Sequence, residues 1–254
     1  DLDSSSSYPV ESFTKAIYND SGGSLVLTSS EAAGLLAVHP STVKRWCNEG
    51  ELPFEVTDGG HRRIRIDEAV SFAQSHGLHT ILSPFRPYEA HVWDALRAAE
   101  RGRDFGPLHQ LALQWVRRGE LERLEQLYRT VGDSAEIPFD QFCDEAIRGL
   151  MTHVGFEWEA GRLRVGDEHM ISEVMRSALA ALRRAWLDEQ QLDPTDPTRP
   201  VAVVGAVEGN HHTLGTFCVR LRLERAGWKV FYTGRSEEHT SELQSRPHIS
   251  YAVF

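Results

Sequence analysis

From residue 88 to residue 190 the apolar side chains recur at intervals of three and four, and no run alternates. That period restricts the stretch to packed helices. Leu108, Leu111, Ala112 and Trp115 show the spacing. Breaks at Gly102, at Gly119, at Gly132 with Pro138, and at Gly161 with Gly166 divide it into helices near 88–101, 105–117, 119–131, 139–153 and 167–189. Helices of this length with short connections form a four- or five-helix bundle over 88–190. Such a bundle carries no function by itself, so the flanks decide.

The chain has 254 residues, room for two or three compact units. Its 41% hydrophobic and 25% charged residues are ordinary for a globular protein, and no run reaches the roughly 18 apolar residues of a membrane helix. The net charge of -10 means that the whole surface does not bind polyanions; any nucleic-acid surface is a local patch. Cys47, Cys143 and Cys218 are far apart and form no CxxC pair. With no secretory pattern at Asp1-Leu2-Asp3-Ser4, the reading is reduced thiols and a cytoplasmic location. Residues 1–23 are rich in Ser, Gly and Asp and are expected to be disordered.

Residues 24–77 read as helix, helix, hairpin, helix. Thr28-Ser29-Ser30-Glu31 is a capping box ahead of Ala32, Ala33, Leu35 and Leu36, in a helix ending near Val38. His39 or Ser41 can cap the next helix, Pro40 suits its first turn, and Glu49-Gly50 stops it. Val43 and Trp46 have the spacing of its buried face. Ser41, Thr42, Lys44 and Arg45 fall on other faces and can reach phosphates or base edges. Asp58-Gly59-Gly60 joins two short extended runs and signals a hairpin, whose second arm concentrates His61, Arg62, Arg63 and Arg65. Asp67 is expected to cap a closing helix over 68–76. Residues 24–77 hold five Lys/Arg against seven Asp/Glu, so these cations are useful only if the fold gathers them. Residues 78–87, with Pro84 and Pro87, read as a linker.

After a polar, Pro-rich stretch over 188–199, the apolar run Val201-Ala202-Val203-Val204-Gly205-Ala206-Val207 reads as a buried parallel strand. A helix over 213–227 follows, with Phe217, Leu221 and Ala226 packed, then a strand at Lys229-Val230-Phe231-Tyr232. This is one β-α-β unit, with the loop Glu208 to Thr213 at the carboxyl end of the first strand, where such sheets bind ligands.

Three resemblances attach to these residues. Ser41-Thr42-Val43-Lys44-Arg45-Trp46 together with Gly59-Gly60-His61-Arg62-Arg63 resembles the winged helix-turn-helix of the MerR and excisionase families, over roughly residues 25 to 77. It implies double-stranded operator DNA as partner; one module binds weakly, so a homo-oligomer is expected. Trp158, nine residues, then Glu168-His169 resembles the W-x9-E-H signature of the helical cap in cobalamin-dependent MerR-type regulators, including light-sensing regulators of carotenoid synthesis. By that match Trp158, Glu168 and His169 cover the upper, adenosyl side of the corrin. Asn210-His211-His212-Thr213-Leu214-Gly215 resembles the D/E-x-H-x-x-G loop of cobalamin-binding domains. His212 then matches the lower axial cobalt ligand, the chain's metal-binding residue, and Gly215 the close approach of helix to cofactor. Asn210 stands at the acidic position of that loop. Glu159 follows Trp158 where the light-sensing regulators have a histidine. A cobalamin sensor that is not a photoreceptor is compatible with both departures.

Arg235-Ser236-Glu237-Glu238-His239-Thr240-Ser241-Glu242-Leu243-Gln244-Ser245 and Ile249-Ser250-Tyr251-Ala252-Val253-Phe254 resemble, at their observed spacing, the in-frame translation of a common sequencing-library adapter. On this reading residues 235–254 are artefactual, the cobalamin-binding unit is truncated to 200–234, and its half-sheet has an unpaired edge. The fold class is then multidomain α and α/β: a winged helix-turn-helix, a helical bundle over 88–190, and a truncated Rossmann-like β-α-β unit. The leading function is a non-enzymatic, DNA-binding transcriptional regulator that senses cobalamin, adenosylcobalamin being the favoured form, with ligand state controlling oligomerisation and operator binding. The alternatives are a corrinoid-binding methyltransferase carrier and a DNA-binding regulator that does not bind cobalamin.

Overall fold

A computed structural model describes residues 26–190, 196, 198–206, 213–235 and 250–253. Two compact units, Asp1–Asp94 and Ala95–Phe254, divide within a helix rather than at the segment over 78–87. Residues 1–23 lie outside the described residues, as does 207–212 with Asn210 and His212.

In the first unit the capping box closes in both directions. Thr28 Oγ1 accepts from the Glu31 amide at 3.2 Å, and the Thr28 amide donates to Glu31 Oε2 at 2.7 Å. This starts α1 (Ser29–Leu35), which buries Ala32, Ala33 and Leu35. The chain turns through Ala37, at φ 54, into α2 (Pro40–Asn48). Of the two candidate caps the imidazole is used: His39 Nδ1 accepts from the Ser41 amide at 3.2 Å. The buried face of α2 is Val43 and Cys47, with Trp46 half-buried and its ring 4.8 Å from that of Phe72. At about 100° per residue Cys47 lies closer round the helix to Val43 than Trp46 does.

Strand β3 (Arg62–Arg65) lies between β1 (Val26–Leu27) and β2 (Glu55–Val56), antiparallel to both. Leu27 stands opposite Ile64, and Glu55 opposite Arg63. The hairpin turn closes as the Gly60 amide donates to the Thr57 carbonyl at 2.8 Å, with Gly60 at φ +76, a conformation that suits glycine. Helix α3 (Ile66–Ser75) departs from expectation at its start: Arg65 occupies the capping position and makes no side-chain cap bond. Asp67 lies in the first turn and takes the Arg65 guanidinium at 3.0 and 2.8 Å. Its carboxylate is engaged by the neighbouring cation, which holds its pKa below the usual range. Beyond α3 the supposed linker buries Leu82 and Phe85 around a 3-10 turn, Ser83–Phe85.

Helix α4 (Glu89–Arg97) widens into a π turn, Ala98–Gly102. The second unit continues through α5 (Gly106–Arg117) and α6 (Leu121–Gly132). A continuous helical run then joins Phe139–Gln141, a π stretch Phe142–Arg148, and α7 (Gly149–Glu159). The long α8 (Val165–Gln190) packs along α6. Trp115, Tyr128, Phe142, Leu150, Met175 and Leu179 fill the core. Gly132 lets two helices approach: a Cβ there would collide with Leu182 Cδ1 and lie 2.9 Å from Phe142 Cζ.

The parallel sheet has the order β5 (Lys229–Arg235), β4 (Val201–Ala206), β6 (Ser250–Val253). Ala202, Val203 and Val204 are buried, as a central strand requires. Both edges of β4 are therefore paired, unlike the open half-sheet expected. The pairing residues are Ser250, Tyr251, Ala252 and Val253. Helix α9 (Thr213–Arg225) covers β4 and β5 and packs on α8. It buries Phe217, Cys218 and Leu221, but Ala226 lies past its end and is exposed. Glu224 is buried in its place, at 5% exposure. Arg183 of α8 binds that carboxylate at 2.5 and 2.8 Å, and Arg220 at 3.0 Å. The three cysteines are free thiols and buried, and no described helix is long and apolar enough to cross a membrane.

Two glycines of the bundle give opposite expectations. Gly132→Ala overpacks the α6–α8 contact and destabilises by about 1–3 kcal/mol. Gly155→Ala, with nothing within 4 Å of its Cβ, stabilises α7 by about 0.5–1 kcal/mol. Urea denaturation followed by circular dichroism measures both.

Candidate cofactor face and nucleic-acid interface

The corner between α7 and α8 is set by one carboxylate. Glu157, in the last turn of α7, takes the Arg162 guanidinium at 2.9 and 2.8 Å and also binds Arg117 of α5. Arg162 is the main cause of the low pKa of Glu157, with Arg117 adding to it. Gly161, at φ +70, reverses the chain inside this clamp. With Glu157 facing α5, the next side chain is turned about 100° away. Trp158 is accordingly 50% exposed. Phe156 on the same helix is 61% exposed, and Met170 on α8 is 41% exposed. Three large apolar side chains of α7 and α8 are thus exposed to solvent.

The polar half of the motif lies in the first turns of α8. Asp167 accepts from the Arg164 amide at 2.8 Å. Glu168 does two jobs: Oε1 accepts from the Ser172 hydroxyl at 2.9 Å, and Oε2 pairs with His169 Nδ1 at 2.9 Å. The carboxylate therefore fixes both the tautomer and the direction of the exposed imidazole. A half-exposed indole can cover a large flat ligand, and an oriented Glu-His pair can hydrogen-bond polar groups.

At the start of α9, Gly215 is exposed and no described atom lies within 4 Å of where its Cβ would be. The protein's own packing therefore does not call for glycine there. Thr216, absent from the sequence reading, is buried; its hydroxyl donates to the Thr213 carbonyl at 2.7 Å and lies 3.1 Å from the Tyr232 hydroxyl. This ties the first turn of α9 to β5. Asn210 and His212 lie outside the described residues. Among the described residues no group of three or more His, Cys, Asp or Glu could hold a metal.

Among the cationic candidates of the first unit, Arg62 is set apart from the others. Along β3, Arg62 shares a face with buried Ile64, and Arg63 and Arg65 take the other. Arg62 Nη2 donates to Asn48 Oδ1 at 2.7 Å, and its guanidinium lies 5.3 Å from the centre of the Phe54 ring, so it ties the hairpin to α2. Arg63 stands opposite Glu55, and Arg65 is paired with Asp67. On α2, Lys44 and Arg45 are exposed, the latter 3.9 Å from Glu49; Ser41 is exposed and Thr42 half-buried. His61 is exposed at the hairpin tip.

The Glu157 clamp has a pH signature. Its folded pKa is depressed, so its contribution to stability is fully present above the unfolded value of about 4.3 and is lost as pH falls through the folded pKa. The stability difference between the parent chain and Glu157→Gln is expected to be flat above about pH 5 and to shrink on acidification. Denaturation midpoints across that range measure it; a pH-independent difference would show that the clamp is not electrostatic.

Two family models match the chain. Residues 26–74 match a helix-turn-helix domain, and residues 108–183 match a B12 binding domain. The second match falls on the helices that carry Trp158, Glu168 and His169, ahead of the parallel sheet. The HTH-type transcriptional repressor CarA of Myxococcus xanthus is 28% identical over 121 residues, 47% of this chain and 38% of that protein. The repressor CarH of the same organism is 30% identical over 101 residues, 40% of this chain and 31% of that protein. The matched regions thus span 38% and 31% of the two relatives' own lengths. A stretch similar to a helix-turn-helix domain is thus followed by one similar to a B12 binding domain, and part of the chain is similar to the CarA and CarH repressors.

Proposed function

We propose that this chain is part of a cytoplasmic, homo-oligomeric transcriptional repressor whose hold on operator DNA is set by cobalamin, in its adenosyl form. The observation that carries this reading is the exposed Trp158 together with the oriented Glu168-His169 pair, inside the region similar to B12 binding domains. When bound, cobalamin would supply a broad corrin face and a cobalt ion able to take an imidazole ligand. Trp158 would cover one side of the corrin, and Glu168 and His169 would hydrogen-bond there. By the resemblance, His212 would hold the cobalt, Asn210 would orient its ring, and Gly215 would admit the cofactor beside α9. Repression is taken from the names of the two relatives. The coupling is linkage: the cofactor favours the assembly that it binds best, and the assembly determines how many DNA-binding modules act together.

On the DNA side, Ser41, Thr42, Lys44 and Arg45 on α2 face the major groove. His61, Arg63 and Arg65 on the hairpin take the backbone as a wing, and Arg62 positions that hairpin. Arg65 exchanges Asp67 for phosphate on binding. A methyl carrier has no use for such a module, so the regulator reading is preferred over an enzyme component.

Titration with adenosylcobalamin followed by absorbance is expected to give a saturable spectral change. Trp158→Ala is expected to weaken it at least tenfold, and His212→Ala to abolish the axial-ligand contribution. No spectral change, or one indifferent to both variants, would overturn the cofactor assignment. In mobility-shift measurements, Lys44→Ala and Arg63→Ala are expected to weaken operator binding and each to lower the salt slope by about one. Unchanged slopes would remove those residues from the interface.

A further inference from the structure

His109 on α5 is 5% exposed, yet Glu145 and Ala146 of the π stretch give its Nε2 two carbonyl partners, at 3.0 and 3.2 Å. Carbonyls only accept, so Nε2 carries the proton and donates. Nδ1 is then an unprotonated, buried nitrogen, and it has no hydrogen-bond partner among the described residues. Such an orphaned acceptor is rare in a folded interior and calls for a ligand. Gly149 makes room for the ring: a Cβ there would lie 2.7 Å from His109 Cε1. One turn along the same helix, exposed His153 places Nδ1 2.9 Å from the Gly149 carbonyl. By the same reasoning that nitrogen donates, which leaves Nε2 as the unprotonated one, with no hydrogen-bond partner among the described residues. The two rings are 5.0 Å apart, centre to centre, tilted by 49°.

We propose that His109 and His153 form a binding site for a divalent transition-metal ion of the zinc, nickel or copper class, with His109 Nδ1 and His153 Nε2 as protein ligands and water completing the coordination. This site is separate from the cobalamin face and does not depend on it. In protein metal sites a ligating histidine almost always donates its second ring N–H to a carbonyl or carboxylate, and both rings here already do so to backbone carbonyls. Two imidazoles bound at about 2.0–2.1 Å to one tetrahedral ion have ring centres roughly 5 Å apart, the separation observed. Exposed His153 supplies the entry route.

The full chain, free of cobalamin, is titrated with zinc chloride against a chromophoric chelator. One equivalent is expected to bind, and His153→Gln, a surface change that leaves the buried ring in place, is expected to weaken it at least tenfold with unchanged circular dichroism. Histidine-selective nitrogen NMR on the metal-free chain is expected to show the Nε2–H tautomer for His109 and the Nδ1–H tautomer for His153. Zinc retained equally by His153→Gln, no binding above a histidine-free control protein, or the opposite tautomer at either ring overturns the site.

Discussion

A buried carboxylate joins the two halves of the second unit. Glu224 lies at the joint between the long bundle helix α8 and the helix α9 that covers the sheet, held from one side by Arg183 and from its own helix by Arg220. Removing a carboxylate from water is costly, and removing one partner of such a set leaves an uncompensated charge inside the protein. The arrangement therefore tolerates few alternatives in how α9 seats against α8. Around it, Arg225 lies 4.4 Å from the centre of the Phe139 ring, so further cationic groups meet aromatic faces at the same seam. The seat of α9 in turn determines where its first turn lies, and Tyr232 and Thr216 secure that turn to β5.

The candidate cofactor face obeys the same economy of charge. Glu157 faces α5 and the returning Arg162, and helical geometry then leaves Trp158 pointing to solvent. An aromatic of that size would ordinarily be drawn into the core; here the clamp makes the inward position unavailable to it. Glu168 repeats the device on a smaller scale, aiming His169 through one oxygen while the other is occupied by Ser172.

Much of this was readable in the residues, and the boundary of what was readable has a physical pattern. Features set by near neighbours came out as written: the Thr28–Glu31 box, the Gly60 turn, the 3.6-residue period of the bundle, the buried strand at 201–206. Features set by partners distant in sequence did not. Glu224 looks like a surface residue until Arg183 is brought beside it, 41 positions away. Arg62 looks like its neighbours Arg63 and Arg65 until the pleat turns it toward Asn48. Ala226 fits the helical period but falls just beyond the helix end. The signature Trp158, Glu168 and His169 was recognisable by resemblance, whereas its exposure follows from the Glu157 clamp and from no local rule.

The π stretch Phe142–Arg148 has a consequence for the signature itself. A wider turn carries more residues per revolution than an α-helix, so each residue it absorbs re-phases everything downstream by about 100°. Trp158 thus takes its heading from a dislocation in the helix more than two turns upstream. A single deletion within 142–148 would keep every residue of the W-x9-E-H spacing and every apolar side chain of α7, and still swing the indole toward a different neighbour. Two chains can therefore share the motif letter for letter and differ in what it faces; the helix's phase, carried by seven unremarkable residues, sets the direction of the tryptophan as much as its place in the sequence does.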